Sequence, residues 1–191
     1  TMGFANIRLE VRDGVGYLTL NRPEAANTIS LDLARELMQA AIALSEDRRV
    51  RAVLLAAEGK MFSAGGDLRN FSEQGERLPA YIKEVTANFH NAVVRLTTLD
   101  APVVAAVTGM AAGIGFALVL AADLVVAARS ARFTMAYTKA GLAPDGGSTW
   151  FLPRLVGWRR AMELVLTNRL LTAEEALDWG IVNQVVDDAT C

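Results

Sequence analysis

Three short stretches of this 191-residue chain hold residue types able to do chemistry. The first is Lys60-Met61-Phe62-Ser63-Ala64-Gly65-Gly66-Asp67-Leu68. Consecutive small residues let a ligand come close to the backbone, and exposed N–H groups there can donate to an oxyanion. The second is Gly109-Met110-Ala111-Ala112-Gly113-Ile114-Gly115, which joins an apolar strand to an apolar helix. A helix start offers free N–H groups and a partial positive charge, which suits a developing negative oxygen. The third is Gly141-Leu142-Ala143-Pro144-Asp145-Gly146-Gly147-Ser148, where Pro144 fixes the backbone before a single acid.

Each stretch also has a simpler reading. Taken alone, Asp67 and Asp145 are most economically helix N-caps, and Gly109 to Gly115 serves close strand–helix packing. Gly113-Ile114-Gly115 is not a dinucleotide fingerprint, because Leu118 stands where the third glycine belongs and no acid follows about 20 residues on. Gly146-Gly147-Ser148-Thr149-Trp150 misses a nucleophile elbow at Trp150, and the lone His90 precedes Ser148, against the hydrolase order. His90 follows Phe89 at the edge of an apolar helix stripe, where a satisfied or partly exposed histidine is a simpler reading than a general base. One His and one Cys (Cys191) leave no Cys/His cluster for a metal and no intrachain disulfide.

Alternating strands and helices must position these stretches. Val15 to Leu20 alternates like a strand and stops at Asn21-Arg22-Pro23. Ser30 caps a helix through about Asp47, with Leu33, Leu37, Ala41 and Leu44 on one face. Val50 to Ala57 reads as a strand covered on both faces. Pro79 to Leu99 is a second long helix with Ile82, Val85, Phe89, Val93 and Leu96 as its stripe. Strands follow at Pro102–Val107, Asp123–Ala128 and Ile181–Val186, and helices near Ser148–Val156, Trp158–Asn168 and Thr172–Trp179. The fold class is therefore α/β.

Composition narrows the setting. Hydrophobic residues make up 52% and charged residues 21%, which excludes a disordered chain. The 19 basic and 21 acidic residues nearly cancel, so nothing points to a nucleic-acid or anionic-membrane partner. No apolar run reaches the ~20 residues of a membrane helix, and no signal-peptide pattern opens the chain. A reducing, cytoplasmic setting is the expectation.

Taken together and in order, the segments resemble the enoyl-CoA hydratase/isomerase (crotonase) superfamily. The resemblance rests on Tyr17 to Asn27, Phe62 to Leu68, Pro102 to Gly109, Ala122-Asp123-Leu124 and Gly141 to Gly147, and covers essentially the whole chain. It implies a spiral of strand–strand–helix units and an acyl-CoA thioester as ligand, with coenzyme A part of the substrate and no separate cofactor. It also implies homotrimers, or hexamers of two trimers. By the family's pattern residues 1–191 form one core domain, and the helices that usually follow the position of Cys191 and help form the trimer fall outside it.

The resemblance also assigns roles. The family's oxyanion hole falls on the backbone N–H groups of Gly66 and Ile114, with Ile114 where many members carry glycine. The CoA moiety runs past the turn from Glu24 to Ala26 and the loop Ala64, Gly65, Asp67 and Leu68, with Gly113 and Tyr137 also on the substrate. The two glutamates of the family's hydratases match Ala117 and Tyr137 here, so simple hydration is disfavoured. Asp145 matches the catalytic aspartate of the isomerases, and Gly141 to Leu164 looks most like the phenylacetate-pathway isomerases acting on ring-epoxide or enoyl CoA esters. The implied reaction is isomerisation through a thioester enolate, with Asp145 carrying the proton and Ile114, Tyr137, Trp150 and Phe151 as apolar walls. Alternatives are a dehalogenase or thioester hydrolase with Asp145 as nucleophile and His90 as base, a hydratase-like activity, and a non-catalytic acyl-CoA-binding or RNA-binding homologue.

Overall fold

A computed structural model describes residues 3–191. The main sheet has six strands in the order β1-β2-β3-β4-β6-β9. These are β1 (Ile7–Arg12), β2 (Val15–Leu20), β3 (Ala52–Ala57), β4 (Val103–Val107), β6 (Leu124–Ala128) and β9 (Gln184–Val186). β1 runs antiparallel to β2, and every later pairing is parallel. Parallel neighbours need a long crossover. α1 (Leu31–Glu46) carries the chain from β2 to β3, and α2 (Leu68–Ser72) and α3 (Leu78–Thr97) carry it from β3 to β4.

The strands after the hairpin each continue into a short second ladder before their helix begins. After β2, Ile29 bridges Gly66, and after β3, Ser63 bridges Ala111 in β5 (Met110–Ala112). β5, which follows β4, pairs with β7 (Arg132–Thr134), which follows β6, and β7 pairs with β8 (Leu171–Thr172). This is the spiral of strand–strand–helix units. The second ladder sets both glycine-rich bends side by side: Ser63 N–H donates to the Met110 carbonyl at 3.0 Å, and Ala112 N–H to the Ser63 carbonyl at 2.9 Å.

Local chemistry explains the helices. Ser30 caps α1 by accepting from Leu33 N–H, and Leu33, Ala34, Leu37, Ala40, Ala41 and Leu44 form its buried face. α3 buries Val85, Phe89, Ala92, Val93 and Leu96 and packs on α1. α4 (Ile114–Leu120) is buried on all sides, as its unbroken apolar sequence requires. α5 (Ser148–Val156), α6 (Trp158–Thr167) and α7 (Ala173–Asp178) follow, the last opened by a capping box between Thr172 and Glu175.

The structure departs from the sequence reading at several points. β1, α2, β5, β7 and β8 are additional, β5 lying inside the bend Gly109–Gly115, and the closing strand is shorter, Gln184–Val186 rather than Ile181–Val186. Asp145 is not the cap of α5. Gly147 takes that position with a left-handed backbone, and the Asp145 carbonyl accepts from both Ser148 N–H and Ser148 Oγ, which leaves the carboxylate free for other partners.

Candidate active site

The two bends meet through glycine. Gly65 has φ +102°, and a Cβ there would stand 3.0 Å from the Ala112 carbonyl oxygen. Gly113 sits at φ 52°, ψ −126°, a region side chains exclude, and that kink starts α4. Gly115 allows a similar approach, since a Cβ on it would strike the Ser63 side chain.

Gly65 N–H is taken by Ser63 Oγ and Gly113 N–H by the Thr134 carbonyl. Among the described residues, the Gly66 N–H and the Ile114 N–H donate to no protein acceptor. Both residues line a cavity of about 350 Å³, shared with Ala64, Gly65, Leu68, Gly113, Tyr137, His90 and Asp145. The rest of its wall is mostly apolar, with Ile29, Phe71, Ile82, Val85 and Leu142, and includes Thr86. Trp150 and Phe151 do not line it. Trp150 is 58% exposed, because α5 turns that face outward.

Asp145 reaches the cavity from the turn before α5. Its Oδ2 lies 3.1 Å from His90 Nε2, and its Oδ1 is buried without a hydrogen-bond partner. His90 also receives the Gly146 N–H on Nε2 at 3.2 Å. His90 is thus partly exposed and hydrogen-bonded, as the simpler reading expects, and it also faces the cavity. Ile82, Val85, Thr86 and His90 share one face of α3, and that face is a wall of the cavity.

Tyr137 is buried, and its hydroxyl stands 3.4 Å from the Asp145 carbonyl oxygen. Burial, then the nearby Asp145 charge, push its ionisation well above the ordinary phenol range, so it stays neutral. Ala117 is fully buried and lines no part of the cavity. Ser148 is buried with its hydroxyl spent on the Asp145 carbonyl at 2.7 Å, which removes it as a nucleophile.

A second, more polar cleft of about 640 Å³ adjoins the first, and Ala64, Gly66 and Leu68 belong to both. Arg22, Glu24, Ala25 and Thr28 from the turn after β2 form its other side. Asp67 lies on its wall, but its carboxylate is already engaged. Oδ1 accepts from Asn70 N–H as the cap of α2, and Oδ2 accepts from Arg22 at 2.6 Å and Thr28 at 3.3 Å. Burial opposes its ionisation, but these donors outweigh burial and hold it below the ordinary carboxylate range. Ala26 lines neither space. Its carbonyl accepts from Ala64 N–H at 3.0 Å and fastens the turn to the loop.

Two positioning residues, Arg22 and Asn27, have no role assigned from sequence, where Arg22 stands only in a turn and Asn27 only within the resemblance. Fully buried Asn27 holds three backbone groups: it accepts from Arg22 N–H and donates to the Glu58 and Met61 carbonyls. Its left-handed φ of 50° and its neighbour Ala26 at 51° mark a tight turn, for which an Asn after Pro-Glu-Ala-Ala was the available signal.

Residues 10–191 match the family model described as Enoyl-CoA hydratase/isomerase. The chain belongs to the enoyl-CoA hydratase/isomerase family. It is 44% identical to the 1,2-epoxyphenylacetyl-CoA isomerase of Escherichia coli (strain K12), over 94% of this chain and 69% of that protein. It is 38% identical to 4-chlorobenzoyl coenzyme A dehalogenase-2 of an Arthrobacter species, over 96% of this chain and 67% of that protein. Its fold superposes on the crystal structure of an enoyl-CoA hydratase from a Polaromonas species with a TM-score of 0.89 at 35% identity, covering 95% of this chain and 71% of the other. An acyl-CoA substrate fits this enoyl-CoA hydratase/isomerase membership. Among the described residues no helix is long and apolar enough to cross a membrane.

Proposed function

We propose that the protein is an acyl-CoA isomerase that shifts a double bond, or rearranges a ring, through a thioester enolate. The observation that carries this reading is one cavity holding two unspent main-chain donors, Gly66 N–H and Ile114 N–H, together with an acid whose Oδ1 has no partner, Asp145. The CoA portion lies along the polar cleft past Arg22, Glu24 and Ala25, and the acyl group enters the apolar cavity.

The chemistry then needs few parts. The thioester oxygen sits between the two N–H groups. Asp145 takes a proton from carbon 2, and the electron pair of that C–H bond moves through carbon 1 onto the oxygen. Two fixed donors hold that charge better than they hold the neutral carbonyl, which is the condition for acceleration. One such donor contributes about 10²- to 10³-fold. The oxygen's pair then returns, a double bond forms between carbons 2 and 3, and the former 3,4 pair takes the proton from Asp145 at carbon 4. General acid–base work of this kind contributes about 10²- to 10⁴-fold. One acid suffices because the proton it takes is the proton it gives. Neutral Tyr137 and buried Ala117 supply no second carboxylate to activate water, which favours isomerisation over hydration.

The test is Asp145→Asn assayed with a 3-enoyl-CoA. Turnover should fall at least about 100-fold while acyl-CoA binding by calorimetry persists. Full activity in that variant would remove Asp145 from the mechanism.

The 3.1 Å approach of His90 Nε2 to Asp145 Oδ2 favours one further reading: a dehalogenase or thioester hydrolase with Asp145 as nucleophile and His90 as base. The 38% identity to the Arthrobacter dehalogenase points the same way, and the 44% identity to the isomerase outweighs it. Halide release from 4-chlorobenzoyl-CoA would decide for it. Assembly as a homotrimer, or as a hexamer of two trimers, is part of the proposal. The exposed Trp150, Trp158 and Leu166 on α5 and α6 support a face used in self-association.

A further inference from the structure

His90 Nε2 faces two partners with opposite demands. The Gly146 N–H, 3.2 Å away, is a donor and needs a bare nitrogen. Asp145 Oδ2, 3.1 Å away, needs an N–H when the carboxylate is ionised and offers an O–H when it is protonated. One nitrogen cannot accept from the first and donate to the second at once. Nδ1 has no protein partner among the described residues, and the side chain is 46% exposed, so water can exchange protons with the ring.

The backbone that carries the three groups is held by its neighbours. Phe89, beside His90, is fully buried. Gly146 has φ +62°, and a Cβ there would lie 2.8 Å from the Phe89 ring and 3.0 Å from Ala117 Cβ, so the turn is wedged between α3 and α4. The Asp145 carbonyl is held by Ser148 from the other side.

We propose that His90 is a positioning residue whose imidazole changes tautomer as Asp145 gains and loses its proton. With Asp145 ionised, Nε2–H donates to Oδ2 and Nδ1 is bare. The charge-assisted bond is roughly twice as strong as a neutral one and outweighs the unmet Gly146 N–H. With Asp145 neutral, that advantage is gone. Nε2 gives its proton to water, Nδ1 takes one from water, and the Gly146 N–H and the acid's O–H share the single lone pair of the bare Nε2. Net charge on the ring is unchanged. Both charge states of Asp145 therefore keep a hydrogen-bonded partner, as a group that acts first as base and then as acid requires. The inference rests on Asp145 being the proton carrier of the proposed isomerisation.

His90 is the only histidine among these 191 residues, so ¹⁵N-histidine labelling of this chain gives one imidazole pair to follow. Spectra are taken at mildly alkaline pH, above the ordinary imidazole range. Wild type should show Nε2 protonated and Nδ1 bare. Asp145→Ala removes the acceptor, and Asp145→Asn presents an amide donor in place of the neutral acid; both should invert the assignment to Nδ1–H. Inversion in either folded variant supports the switch. A wild-type Nδ1–H tautomer, or the same tautomer in wild type and both variants, overturns it. The same samples are assayed with a 3-enoyl-CoA. Lost turnover without inversion removes the switch and leaves the isomerase reading; inversion with turnover intact keeps the tautomer change and removes the isomerase reading.

Discussion

Gly113 approaches Gly65 so closely that a Cβ on Gly113 would lie 3.8 Å from the Gly65 Cα. The contact makes one wall out of two bends that are 48 residues apart in the chain, and it fixes where the free N–H of Ile114 stands relative to that of Gly66.

Gly113→Ala tests that relationship. At φ 52°, ψ −126° an alanine is strained, and about 1–3 kcal/mol of stability should be lost. The strain is relieved by turning the start of α4, which moves the Ile114 N–H. We expect kcat on a 3-enoyl-CoA to fall about 10²- to 10³-fold, the contribution of one oxyanion donor, with a smaller change in KM. A variant with a lowered Tm and an unchanged kcat would show that the Ile114 N–H is not a donor to the substrate.

Tyr137→Phe should do much less. The hydroxyl donates to the Asp145 carbonyl oxygen at a long 3.4 Å, and burial with the Asp145 charge keeps it protonated. Its ring shapes the cavity and phenylalanine preserves the ring. Activity should stay within about tenfold of wild type, the loss of one weak neutral hydrogen bond, with no alkaline limb of the pH profile removed. A drop beyond about 100-fold would make Tyr137 a proton donor rather than a wall.

The parts of this site that are legible in sequence are those whose signal is local. Gly65-Gly66 and Gly113 announce close backbone approach by composition alone, and the Ser30 cap and the stripe from Leu33 to Leu44 define α1. The β1–β2 hairpin carries a local signal of the same kind, although the strands read from sequence start only at Val15. Ile7, Leu9 and Val11 alternate with Arg8, Glu10 and Arg12, and Asp13-Gly14 supplies the two left-handed residues of a tight turn, φ 51° and 80°. Strands of two or three residues, such as β7 and β8, carry no periodicity and exist because the ladder beside them offers partners. The pairing of His90 with Asp145 came from the family resemblance and not from local sequence. The two residues lie 55 positions apart, and neither residue type nor helical spacing distinguishes a cavity wall from a surface edge. Trp150 misled in the opposite direction, as an aromatic near the acid that the turn of α5 sends outward.

The Arg22–Asp67 pair makes a pH-dependent prediction. Both side chains are largely buried, at 20% and 6% exposure, and Asp67 ionises below the ordinary carboxylate range. A depressed folded-state value stabilises the fold above the unfolded value, and that contribution is lost as pH falls through the folded one. Asp67→Asn should therefore lower stability at neutral pH by about 1–3 kcal/mol, the usual effect of removing a charged hydrogen-bond partner. The Tm gap between variant and wild type should close as pH drops below the ordinary carboxylate range. A gap that is constant down to strong acid would show that the neutral cap of α2, not the ion pair, carries the stability.

Ala117→Glu asks whether a hydratase can be restored by adding an acid. Ala117 is fully buried, and its Cβ stands 3.0 Å from where a Gly146 Cβ would be, under the turn that carries Asp145. A glutamate there has to displace that turn or the Phe89 ring, and overpacking of this kind costs about 1–3 kcal/mol before the carboxyl itself is desolvated. Displacing the turn would also pull Gly146 N–H away from His90 and Asp145 away from the cavity. We expect a lowered Tm, loss of 3-enoyl-CoA isomerisation and no addition of water to a 2-enoyl-CoA. Water addition in a variant of unchanged stability would mean that the cavity accepts a second acid, and that residue 117 alone separates isomerase from hydratase in this chain.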